Sequence, residues 1–76
     1  MTDCIFCRIV GRQIPATELA RTADAVAFRD LNPQAPTHVL VIPTTHYAGM
    51  SDTDSDAGEA AVGRTMRLAV PVARQL

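Results

Sequence analysis

His38-Val39-Leu40-Val41-Ile42-Pro43 follows Ala25-Val26-Ala27-Phe28-Arg29-Asp30 across the connection Leu31-Asn32-Pro33-Gln34-Ala35-Pro36-Thr37, and these three runs decide the fold. The run from His38 is rich in β-branched residues and closed by a proline, which predicts a strand over about 38–42 buried on both faces. Residues 25–30 read as a second strand with Val26 and Phe28 on one face, because side chains alternate across a strand. Two prolines and an asparagine exclude regular pairing between the two runs, so the segment joining them is a rigid turn-rich connection.

Outward from that centre, Ile14-Pro15 forces an extended backbone, since the residue before proline is pushed out of the helical region. A weaker strand over about 17–21 follows it. Nearer the N-terminus, Ile5, Phe6, Ile9 and Val10 recur at helical spacing and predict a short helix over about 4–10, with Asp3 as its cap and Gly11 as its end. On the other side, residues 44–56 are polar and loop-like, and a long helix is expected over about 56–76. Its apolar stripe is read as Val62, Met66, Ala69, Ala73 and Leu76, widened by Leu68 and Val72. Pro71 is expected to kink that helix or end it early. Asp52, Asp54, Asp56 and Glu59 sit near its start, where negative charge complements the helix dipole.

The order predicts an α+β fold, one domain over residues 1–76, with an antiparallel sheet, a short N-terminal helix and a long helix. Three strands leave a sheet edge that must be covered or paired, so the domain is expected to be incomplete at its C-terminal end. Length agrees: a chain of 76 residues buries only about 60% of its unfolded surface, so one domain fits and two do not. A metal, a partner chain or more polypeptide is expected to support it.

Composition, at 47% hydrophobic and 20% charged, is that of a soluble globular chain. No apolar run approaches the length of a membrane span, and Met1-Thr2-Asp3-Cys4 does not open a secretory signal, so a cytoplasmic location is expected. Net charge is −1 and the seven basic residues, all arginines, are scattered from Arg8 to Arg74. Polyanion binding through a basic patch is therefore disfavoured, and no nucleic-acid partner is expected.

Cys4-x-x-Cys7 is the first candidate for chemistry. In a reducing compartment such spacing fits a metal site or a redox pair, and two small buried hydrophobes remain an alternative. A thioredoxin-like dithiol is disfavoured because no strand precedes the motif. Two thiolates make half of a tetrahedral zinc shell; His46, in the loop after the strongest strand, is the candidate third ligand, and no fourth is evident. His38 and His46 are the only histidines, and a structural role is open for each. Asp30 ends an apolar strand at a rigid connection, where its carboxylate can accept sugar hydroxyls or simply initiate the turn.

Cys4-Ile5-Phe6-Cys7-Arg8-Ile9-Val10, Ile14-Pro15-Ala16, Ala27 to His38, Leu40-Val41-Ile42-Pro43 and His46 together closely resemble the N-terminal half of the histidine triad (HIT) family, nearest its Hint-like nucleoside phosphoramidase branch. The resemblance implies a HIT-like fold in which Ile5, Phe6, Ile9, Phe28 and Leu31 contact a base and Asp30 binds the ribose hydroxyls. It implies a supporting place for His38 beside the catalytic centre, and structural zinc on Cys4, Cys7 and His46 with the fourth ligand in the C-terminal half. It further implies a purine nucleotide or nucleoside phosphoramidate as substrate and a homodimer built on the long helix.

Two positions depart from the family pattern. Thr44 stands where lysine is common, and the defining His-x-His-x-His motif does not occur in these residues. In the family the middle histidine of that motif attacks the α-phosphate, forming a nucleotidyl-histidine that water then cleaves. No residue here matches that nucleophile, so the expectation is a nucleoside pocket without phosphate chemistry, inactive alone. A non-catalytic nucleotide- or zinc-binding remnant, or an interaction module, is the alternative.

Overall fold

The structure, a computed structural model, describes residues 4–76; Asp3, expected to cap the first helix, lies outside them. Helix α1 spans Ile5–Val10, strands β1, β2 and β3 span Glu18–Arg21, Ala25–Arg29 and Val39–Pro43, and helix α2 spans Asp56–Gln75 after a 3-10 turn at Met50–Thr53. The strands form one antiparallel sheet in the order β1-β2-β3. This is the α+β arrangement of a short helix, an antiparallel sheet and a long helix that the sequence predicts.

Alternation along β2 organises both layers. Val26 and Phe28 pack with Ile9 of α1, joined by Leu40 and Ile42 of β3. Ala25 and Ala27 face the other way, against Leu68 and Val72 of α2 with Val39 and Val41. Small alanines on that face let the helix backbone approach the sheet closely. Strand β2 is buried from Ala25 to Phe28, whereas every residue of β3 is only half-buried. The expectation that the run from His38 would be buried on both faces is thus corrected. A strand at the sheet edge has one ladder and one open side, and position in the sheet outweighs its own apolarity.

Helix α1 ends at Gly11, as its sequence predicts. Gly11 has an ordinary φ, and Arg12 takes the left-handed conformation at φ 59°. Its N–H donates to the Ile9 carbonyl at 3.0 Å and the Gln13 N–H to the Arg8 carbonyl at 2.8 Å, the pair of bonds that closes a helix through a left-handed residue. Gly11 is thus the residue at which α1 ends, as expected, and the left-handed position follows it at Arg12.

Helix α2 starts at Ser55, whose Oγ accepts the Gly58 N–H at 3.0 Å, with Asp56 and Glu59 in the first turn. Its buried residues are Gly58, Thr65, Leu68 and Val72. The stripe expected on Val62, Met66, Ala69, Ala73 and Leu76 is thereby corrected: it lies about a quarter-turn away from the packed face. Met66, Val70 and Leu76 remain exposed. The helix runs through Pro71 to Gln75 without ending early. Pro71 and Arg67 are on the exposed side, where solvent satisfies the carbonyl that proline leaves without a donor.

Gly58 is the position where α2 crosses the preceding turn, and a Cβ there would fall on the Thr53 backbone. A Cβ at Gly63 would meet open space. In urea unfolding, Gly58→Ala is expected to destabilise the chain by about 1–3 kcal/mol through overpacking. Gly63→Ala should stabilise it by up to about 1 kcal/mol, since alanine is the better helix former.

Candidate functional site

Two constellations of polar side chains form at opposite ends of the β2–β3 ladder. The first is built on α1. Cys4 caps the helix and Cys7 lies one turn on, while His46 reaches across from the loop that follows β3. The ligand atoms of the three residues all lie within 4.8 Å of one another. Cys7 Sγ is 3.1 Å from His46 Nδ1. Ligand atoms on a tetrahedral ion with Zn–S near 2.3 Å and Zn–N near 2.0 Å stand roughly 3.5–3.8 Å apart, so two soft thiolates and an imidazole at this spacing could hold a metal ion. No fourth His, Cys, Asp or Glu joins the group among the described residues.

Electrostatics at the helix start favour the thiolate. The Cys7 backbone N–H lowers the pKa of Cys4 most, with further lowering from the Phe6 N–H and the Cys7 side chain, against partial burial, which raises it. A hollow of about 90 Å³ opens beside the cluster, lined by Phe6, Val10, Ile42, Pro43 and Tyr47 together with the three candidate ligands.

The second constellation follows from the register. Asp30 and His38 continue the β2–β3 ladder by one pair, the Asp30 N–H donating to the His38 carbonyl at 2.9 Å. Their side chains meet as well, with His38 Nδ1 3.3 Å from Asp30 Oδ2. Asp30 Oδ1 accepts the Asn32 N–H at 3.1 Å, and His38 Nδ1 accepts the Gln34 N–H at 3.0 Å. The connection is thus pinned to both strand ends through side chains, as two prolines in it remove backbone donors. The Gln34 contact is the site feature that sequence reading missed, since a backbone N–H leaves no mark in the pattern of side chains.

The residues expected to contact a base are distributed unevenly. Ile5, Phe6 and Leu31 are exposed. Ile9 and Phe28 are 3% and 1% exposed, core residues beneath the surface, because packing α1 on the sheet covers them. Both carry their side chains on the α1 side of the sheet. Phe6 lines the hollow over the cysteine–histidine cluster, beside Ile42 and Pro43, while Asp30 lies at the other end of the ladder.

A family model described as HIT domain matches residues 11–76. The chain is 44% identical over 70 residues to a 13.2 kDa HIT-like protein of Azospirillum brasilense, covering 92% of this chain and 57% of that one. It is 37% identical over 73 residues to the purine nucleoside phosphoramidase of Escherichia coli K12, covering 96% of this chain and 60% of the relative. A histidine triad protein from Clostridium difficile superposes with a TM-score of 0.88 at 36% identity, over 99% of this chain and 64% of that one. The chain thus spans less than two thirds of the length of these relatives.

Proposed function

The chain belongs to the HIT domain family, and from that premise we propose that it supplies the nucleoside-recognising part of a HIT-type nucleotide hydrolase or transferase. The reading rests on Asp30. Its carboxylate is partly exposed at the end of a buried strand, with one oxygen held by the Asn32 N–H and exposed Leu31 beside it in the chain. A fixed carboxylate next to apolar surface suits a ribose diol adjoining a flat base. Leu31 offers apolar surface beside Asp30, and Ile9 and Phe28 lie beneath the same face of the sheet, while Ile5 and Phe6 belong to α1, where Phe6 stands toward the other end of the ladder.

The substrate class is a purine nucleotide or nucleoside phosphoramidate, in keeping with the purine nucleoside phosphoramidase among its relatives. Hydrolysis would break the bond between the α-phosphorus and its leaving group through a nucleotidyl-histidine. Neither histidine described above is assigned that attack: His46 lies against Cys7, and His38 against Asp30 and Gln34. We assign His38 a supporting place and expect no turnover from these residues alone.

Zinc is the metal proposed for Cys4, Cys7 and His46, as a structural ion tying α1 to the loop after β3. Both cysteines are unpaired, which suits a cytoplasmic setting. No helix among the described residues is long and apolar enough to cross a membrane. A second reading, self-association, is favoured by one observation. Met66 and Val70 are exposed one turn apart on α2, away from the packed face, and Leu76 is exposed just past its end, apolar surface suited to a second copy.

Three outcomes are expected. Purified folded chain carries zinc, and Cys7→Ser carries less than about 0.2 zinc per chain by elemental analysis; zinc-free wild type would remove the metal assignment. Adenosine affinity falls about tenfold or more in Asp30→Ala by calorimetry, the loss of a charge-assisted acceptor; unchanged affinity would refute the ribose role. Sedimentation of wild type gives a dimer that Met66→Glu converts to monomer, since a buried unpaired carboxylate opposes the interface; a wild-type monomer at every concentration would rule the dimer out.

A further inference from the structure

One nitrogen in this chain faces two partners that it cannot serve together. His38 Nδ1 lies 3.0 Å from the Gln34 backbone nitrogen, which can only donate, and 3.3 Å from Asp30 Oδ2, which in its ionised form can only accept. An unprotonated Nδ1 receives the Gln34 N–H and offers Asp30 no hydrogen. A protonated Nδ1 donates to Asp30 and leaves the Gln34 N–H without its acceptor.

We propose that His38 is a positioning residue for the Asp30 carboxylate, with neutral His38 leaving Asp30 Oδ2 open to a ligand's vicinal hydroxyls and protonated His38 occupying it. The claim rests on the nucleoside reading above and specifies how that site is regulated. Asp30 Oδ1 already gives one lone pair to the Asn32 N–H, so Oδ2 is the oxygen with the greater capacity for a hydroxyl. The same exchange loosens the connection, because the Gln34 N–H bond is what ties the middle of it to His38.

Among the described residues, Asp30 is the ionisable group seen paired with the imidazole. Arg29 belongs to the opposite face of the sheet by alternation from Phe28. Glu18 of β1 stands opposite Phe28 and is engaged by Arg21 and Arg12. On the face that His38 shares with Leu40, α1 brings Arg8 and the cysteines Cys4 and Cys7, and the latter sits against His46. Protonation of His38 therefore places a donor against Asp30 in a setting where that carboxylate is the anion beside it.

The test uses the whole chain labelled with ¹⁵N. As pH is lowered, the Gln34 amide should shift with the same midpoint as the His38 ring nitrogens. Across that midpoint adenosine affinity, by calorimetry, should fall about tenfold, as one charged acceptor is withdrawn. Adenosine carries no phosphate, so its own ionisation does not enter. 2′-Deoxyadenosine, lacking one hydroxyl, should bind more weakly above the midpoint and change little through it. His38→Asn keeps an acceptor for Gln34 and cannot titrate, so it should bind adenosine at low pH as wild type does at high pH.

A Gln34 amide that ignores the His38 titration, or a His38→Asn chain that keeps the wild-type pH dependence, overturns the inference. Adenosine and 2′-deoxyadenosine binding alike above the midpoint overturns the nucleoside reading, and the ligand half of this inference with it. The Gln34 signal judges the exchange by itself, so the two failures are distinguishable.

Discussion

Between Ala25 and Phe28 the chain meets a neighbour in every direction: a strand on each edge, α1 on one face and α2 on the other. Four consecutive residues without access to water can persist only if each backbone N–H and carbonyl is paired and each side chain fits its layer. That requirement sorts the rest of the molecule. Val26 and Phe28 demand an apolar helix face and receive Ile9; Ala25 and Ala27 leave room for a helix to come close and receive Leu68 and Val72. Two thin layers on one strand make a small core, which is the natural consequence of this chain length.

The same register separates the two polar constellations. Asp30 and His38 close one end of the β2–β3 ladder, while the loop carrying His46 leaves from the other, after Ala25 has paired with Pro43. Five residue steps along a strand cover roughly 16 Å, so a metal on the cysteines and a ligand on Asp30 would not touch. Between them Ile9 of α1 packs on Val26 and Phe28.

Much of the site was legible in the chain because its signals are short-range. Cys4 and Cys7 are one helical turn apart, and a polar loop after a strong strand is a natural source for a third ligand such as His46. Asp30 is marked by its position at the junction of an apolar run and a proline-containing connection. The double claim on His38 Nδ1 was not legible, since one claimant is a backbone N–H and no pattern of side-chain types reports which way a peptide group points. Nor was the burial of Ile9 and Phe28, which depends on how closely α1 settles on the sheet.

Local pattern by itself determined that a short helix, three strands and a long helix follow one another. Proline, capping and alternation act within a few residues, so their meaning survives without knowledge of neighbours. The assignment of the centre of the sheet to β2 and of its edge to β3 was decided only when the chain folded, against the greater apolarity of β3. The face of α2 that packs was decided there too: two apolar strips lie about a quarter-turn apart on this helix, and composition does not rank them. Gly58, which admits the Thr53 backbone, and the flat pair Ala25 and Ala27 select one of them, because close packing rewards the strip whose shape fits rather than the one with more carbon.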